Sequence, residues 1–260
     1  MSDDADPTSG HPSAHLRPAP EPQPAAPNLP LSAVFPAGLE LSADTIHYGP
    51  DIPTEADLRL LGNPSGRRIV LLGCGSAQAA VHLATQGAHV IAVDPSHRRL
   101  DRVRTACEQA EVRAELHQSD LAELPFIRAD TVDAVLSIYA LASVADLDRL
   151  FRQTHRVLRT GGHLVTSVPH PAYSLVDPTG DPRRIVRSWY DREPVPWRTA
   201  DEAGAEHVRS VSELFIGLTR ANFRVDTVLE PEPRPLDALW SEAMAWVPPT
   251  LILRARKEGI

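Results

Sequence analysis

The sequence predicts an α/β protein: a doubly wound, Rossmann-like, seven-stranded and mostly parallel sheet with helices on both faces. Three observations predict it. From Arg68 onward, short apolar runs alternate with helix-like segments, the rhythm of parallel strands joined by crossover helices. The first run, Ile69 to Leu72, leads through Gly73, Cys74 and Gly75 into an alanine-rich stretch, which reads as strand, glycine turn and helix start. Beyond Pro169 the rhythm breaks, then resumes with one helical segment and two strand-like runs.

Each element follows from its residues. Ile69 to Leu72 is the first strand, Ser76 to Gln86 a helix, and His89 to Val93 the second strand. Pro95 to Ala110 is a helix with its proline near the first helical position, where the missing N–H costs nothing. Val112 to His117 and Thr131 to Ile138 are strands three and four. Asp146 to Leu158 is a helix that the Gly161-Gly162 pair should close, and His163 to Val168 is strand five. Residues 170–209 contain prolines and the aromatics Tyr173, Trp189, Tyr190 and Trp197 without a repeat, an insertion whose rings could form a substrate lid. Ser210 to Ala221 is helical, and Phe223 to Leu229 and Thr250 to Arg256 complete the sheet.

Residues 1–36 are dominated by Pro, Ala, Ser and Asp with few large apolar side chains, too little to repay ordering entropy, so they are expected to form a disordered tail before one domain over 37–260. The start MSDDADP is acidic with no apolar run after it, which does not fit a targeting segment. No apolar run reaches the roughly 18 residues of a membrane helix. Two cysteines, Cys74 and Cys107, give no disulfide framework and fit a reducing cytoplasm. A formal net charge of -8 argues against a broad nucleic-acid footprint and favours a small-molecule partner. The only lysine, Lys257, lies near the end, which excludes a Walker lysine or an internal Schiff-base lysine.

In open parallel sheets, ligands sit beyond the carboxyl ends of the strands at the switch point beside strand one. Gly73 and Gly75 stand there. A dinucleotide fingerprint would want a third glycine where Gln78 stands, with Ala77 and Ala79 near it. Asp94, at the end of strand two, is placed for ribose hydroxyls or simply for capping the next helix. Asp120, in HQSDLAELPF, follows strand three, where a carboxylate can accept from an adenine amine. With VDAVLSIYAL and FRQTHRVLRTGGHLVTSVPHP after it, the chain resembles class I S-adenosylmethionine-dependent methyltransferases, especially the broad group acting on small molecules.

The resemblance runs from about Thr45 to Pro171 and implies S-adenosylmethionine as cofactor. It puts Gly73, Cys74 and Gly75 against the methionyl part, Asp94 on the ribose, Asp120 and Leu121 at the adenine, and Ser137 and Tyr139 beside the sulfonium. The family commonly lays the segment before strand one over the cofactor, which makes Tyr48 a candidate for the methionyl carboxylate. Two positions depart from the family pattern: Leu71, where many members carry an acidic residue, and Ala77, where they carry glycine. His170, just after strand five, is the candidate general base for an acceptor that must lose a proton, with Tyr139 as its alternate. Two other readings of the same turn stand beside this one: an NAD(P)-dependent oxidoreductase and a non-catalytic cofactor-binding regulator.

Overall fold

The computed structural model describes residues 42–49, 52–177, 180–198, 202–234 and 242–259. The expected tail over 1–36 therefore lies outside the described residues. Strands β1 (Arg68–Leu72), β2 (His89–Asp94), β3 (Ala114–Gln118), β4 (Val132–Ile138) and β5 (Leu158–Pro169) run parallel; β9 (Thr250–Lys257) adds antiparallel to β5, and β8 (Phe223–Leu229) pairs antiparallel with β9 and so runs in the direction of the first five. The sheet order is β3-β2-β1-β4-β5-β9-β8. The order reverses between β1 and β4, which opens a crevice at their carboxyl ends.

The central strands are apolar along their length because both faces are covered. Val70, Leu72, Val135 and Leu164 pack with Leu147, Leu150 and Phe151 of α4 (Leu147–Val157) and with Leu214 and Leu218 of α5 (Val211–Arg220). The opposite faces of the same strands, Ile69, Leu71 and Leu136, pack with α2 (Ala77–Thr85), with α3 (His97–Gln109) and with Ile46, Tyr48, Leu60 and Leu61. Buried positions Leu147, Leu150, Phe151, Thr154 and Val157 make one stripe along α4, the three-and-four spacing of an amphipathic helix. Asp146 starts it by accepting the Arg149 N–H at 2.8 Å.

Two local expectations are corrected. Pro95 is not the first residue of α3: Ser96 is the N-cap, and its hydroxyl accepts from the Arg99 N–H. Gly161 and Gly162 do not close α4, which ends at Val157 and passes directly into β5. Gly161 instead takes a left-handed φ of 79°, within a register shift against β4 where Leu158 and His163 pair with Val132 and Ala134. The insertion, for which the sequence shows no repeat, contains regular structure. It holds a two-stranded hairpin, β6 (Val195–Arg198) with β7 (Ala203–Glu206).

Before β1, Thr54 precedes the short helix α1 (Glu55–Leu58), and its N–H donates to Asp57 at 3.1 Å. The Glu55 carboxylate is the centre of this segment, accepting the N–H groups of Leu60, Leu61 and Gly62 and the Tyr48 hydroxyl.

Candidate functional site

At the carboxyl end of β1 the chain turns through Gly73, whose φ is 84°. A Cβ there would stand 2.1 Å from that of Ala140, so glycine is required by the backbone and by the approach of the segment after β4. A Cβ at Gly75 would meet nothing within 4 Å, so this part of the turn is open. The Cys74 N–H donates to Asp94 Oδ2 at 2.7 Å, and the Ser96 N–H donates to Oδ1 at 2.8 Å. One fully buried carboxylate thus joins the glycine turn to the end of β2. Arg99 Nη1 lies 3.8 Å from it, and Arg99 is held in turn by Glu202, beside the hairpin, at 2.6 Å. Cys74 is itself buried, and its thiol is pushed far up, first by burial and then by Asp94.

Ser137, on β4, is buried and donates to the Leu72 carbonyl at 3.0 Å, bracing β4 against the turn. Leu121 is buried close to Gly73. Asp120 caps its own turn, accepting the Ala122 N–H at 2.8 Å. Gly73, Cys74, Gly75, Asp94, Leu121 and Ser137 thus border the switch point.

Tyr139 follows β4 in a left-handed conformation, φ 57°, uncommon for a residue with a Cβ. Its N–H is fixed by the Ser167 carbonyl and its hydroxyl shares a 2.5 Å hydrogen bond with Thr250 Oγ1. Burial pushes its ionisation upward, so it stays a neutral phenol. Gly49 comes against the same pair: a Cβ there would stand 2.3 Å from Thr250 Oγ1 and 2.7 Å from the Tyr139 hydroxyl. The segment before β1 accordingly lies across the ends of β4 and β9. The Tyr48 ring packs in the core with Cys74, and its hydroxyl is spent on Glu55 Oε2 at 2.6 Å rather than offered to the turn.

His170 follows β5 and is buried. Its Nδ1 accepts the Ala172 N–H at 3.1 Å, so the ring proton sits on Nε2, 3.0 Å from Glu230 Oε1. Both ring nitrogens are therefore occupied, and proton abstraction would require one bond to open. His170 lines a cavity of about 30 Å3 with Leu141, Ala142, Glu206, His207 and Arg209 among its other walls, room for about one water molecule. Sequence reading passed over Glu206, His207 and Arg209. Their only signal was a run of polar residues just before the Ser210 and Glu213 capping pair. Of the insertion's aromatics, Trp189 and Tyr190 are exposed, and Trp197 lies against Gly204 of the hairpin.

Residues 70–166 match the family model described as "Methyltransferase domain". The chain is 28% identical over 140 residues to a ubiquinone biosynthesis O-methyltransferase of Azorhizobium caulinodans, covering 53% of each. It is 34% identical over 138 residues to a demethylmenaquinone methyltransferase of Clavibacter sepedonicus, covering 52% of this chain and 51% of that one. The chain thus spans about half the length of these curated relatives. A solved S-adenosylmethionine-dependent methyltransferase from Mesorhizobium loti superposes with a TM-score of 0.60 at 27% identity, over 77% of this chain and 95% of that one. Fold, switch-point turn and matched segment together make residues 70–166 a methyltransferase domain of the class I, S-adenosylmethionine-dependent type.

Proposed function

We propose that the protein is a methyltransferase that uses S-adenosylmethionine to methylate a small-molecule acceptor. The observation that carries the reading is the Asp94 carboxylate, bound to the glycine turn at the switch point. Each of its oxygens accepts one N–H in the fold, which leaves each a lone pair for a ribose hydroxyl. The open space at Gly75 also fits an approaching cofactor. When bound, S-adenosylmethionine would supply a methyl carbon already activated by its sulfonium, ready for in-line displacement.

The chain's own residues then bind and orient. Gly73, Cys74 and Gly75 border the methionyl part, Asp120 and Leu121 the adenine, and Ser137 and Tyr139 the sulfonium side. With Tyr139 and Ser137 buried, this end of the site is dry, which favours displacement over side reaction with water. The cavity beside His170 is walled in part by the insertion, through His170, Ser174, Glu206, His207 and Arg209, which fits a lid role for residues 170–209 over an acceptor held there. Among the described residues no helix is long and apolar enough to cross a membrane, in keeping with a small acceptor met in the cytoplasm.

Titration calorimetry tests the reading. S-adenosylmethionine should bind and NADH should not. Asp94→Ala should weaken binding at least about tenfold, since charge-assisted hydrogen bonds contribute roughly 1.5–3 kcal/mol each. Asp120→Ala should do less, because it meets a single amine. Binding of NADH with indifference to S-adenosylmethionine would overturn the proposal.

A further inference from the structure

The proposed reaction leaves open which group removes the acceptor's proton. His170 stands in the cavity with both ring nitrogens engaged. His207 stands in the same cavity wall, fixed by its backbone: its N–H donates to the Ala142 carbonyl at 2.8 Å, and its own carbonyl accepts from Arg209 Nη1 at 3.4 Å. Its imidazole has no hydrogen-bond partner among the described residues. Arg209 is anchored by the carbonyls of Val144 and Ala145 at 2.7 and 2.9 Å and lines the cavity as well. Ala142 belongs to the short 3-10 turn 140–143 that directly follows Tyr139, so the free imidazole is tied to the segment beside the proposed sulfonium site.

We propose that His207, assisted by Arg209, is the general base for an acceptor whose methylated atom is an acidic hydroxyl oxygen of the phenol or enol type. This rests on the methyltransferase reading. The charged and titratable groups around His207 are Arg209 and Glu206 on its own segment and His170 from the end of β5; Glu213, on the first turn of α5, acts on Arg209. The 3-10 turn contributes no charged side chain. Burial first, and then Arg209, hold the imidazole below the usual histidine range, so at neutral pH it is unprotonated with a lone pair available. A base so weakened suits a proton that leaves readily, and a neighbouring guanidinium favours the oxyanion that remains.

The step balances. The acceptor's O–H proton passes to the His207 ring as the O–C bond forms and the C–S bond of the sulfonium breaks. The thioether leaves neutral, and the single positive charge ends on the imidazole, in a cavity wall that also contains Glu206.

Two measurements test this, one of them independent of turnover. Diethyl pyrocarbonate modifies unprotonated, accessible imidazoles, so His207 should react faster than His170, with a pH midpoint below 6.5. Reaction no faster than that of His170, or a midpoint above 6.5, overturns the assignment. The second uses methyl-labelled S-adenosylmethionine with a small-molecule cell extract as the acceptor pool. His207→Gln should lower the rate of label transfer roughly 10²- to 10⁴-fold, the range for loss of a general base, with cofactor affinity unchanged by calorimetry. The wild-type rate should fall as pH drops below 6.5, and His170→Gln should be milder. Full transfer by His207→Gln, or label found on nitrogen or carbon, removes His207 while the methyltransferase reading stands. If the wild type neither binds the cofactor nor transfers label, the methyltransferase reading fails and the base assignment falls with it.

Discussion

Asp94 shows how one side chain can serve fold and site together. As the acceptor for two backbone N–H groups it fixes the turn after β1 against the end of β2, and it is the carboxylate proposed above to hold the ribose. Its removal therefore costs structure as well as affinity, since two buried donors lose their partner. Asp94→Asn keeps the size and one acceptor oxygen, so it should retain more thermal stability than Asp94→Ala. Calorimetric unfolding of the two variants would show it, and equal melting temperatures would mean that neither N–H depends on the carboxylate. Tyr139 can be separated in the same way. Its hydroxyl bonds to Thr250 and its ionisation is pushed upward, so Tyr139→Phe should lose about 1 kcal/mol of stability and leave the pH profile of the rate unmoved. A profile shifted in Tyr139→Phe would instead make the phenol the base.

Among the elements, what could be read from sequence was what periodicity encodes. The strands and the helices α2 to α5 fall within a few residues of their expected places because buried strands are continuously apolar and α4 buries every third or fourth residue. What periodicity does not encode went unread. Among the described residues the β6–β7 hairpin pairs with no other strand, so its four-residue strands carry no core pattern. It is tied down at both ends of β7, by the ion pairs of Glu202 with Arg99 and Arg102 just before it and by the His207 N–H bond to the Ala142 carbonyl just after it. Glu55, the hub of the segment before β1, looks in sequence like an ordinary first-turn acid. The glycine pair was misread because its reason is tertiary: a Cβ at Gly162 would stand 2.9 Å from the Arg159 carbonyl and 3.0 Å from that of Asp133. Those neighbours are backbone and cannot rotate away. Gly162→Ala should therefore destabilise by about 1–3 kcal/mol, seen as a shifted denaturant midpoint with an unchanged slope. An unshifted midpoint would show that β4 and β5 part there at no cost.

At the scale of the whole molecule, pH should act on stability through partly buried histidines before it acts through carboxylates. His163, on β5 opposite Arg256 of β9, has a buried Nε2 without a hydrogen-bond partner among the described residues. Burial, then Arg254, Arg67 and Arg256, lower its pKa from 6.5 to about 4, against a smaller opposite pull from Asp226. Burial lowers His47 and His155 as well. The folded state resists protons that the unfolded chain accepts freely below 6.5, so unfolding takes up protons and stability falls as pH falls from 6.5 towards about 4. For His163 the full effect is of order 2–3 kcal/mol. Burial pushes Asp226 and Glu202 upward, but their arginine partners outweigh it and hold both below their ordinary values. They contribute stability that is lost only at lower pH, as the medium passes below the ordinary carboxylate range, so the two losses occupy successive windows. Unfolding free energy measured between pH 7 and 5 should thus slope downward in the wild type and flatten in His163→Gln, while the loss below pH 4 remains in both. If the slope between pH 7 and 5 is the same in the variant, His163 is already free to protonate in the fold, and the arginine-lined face of β5 and β9 is more open to water than its packing indicates.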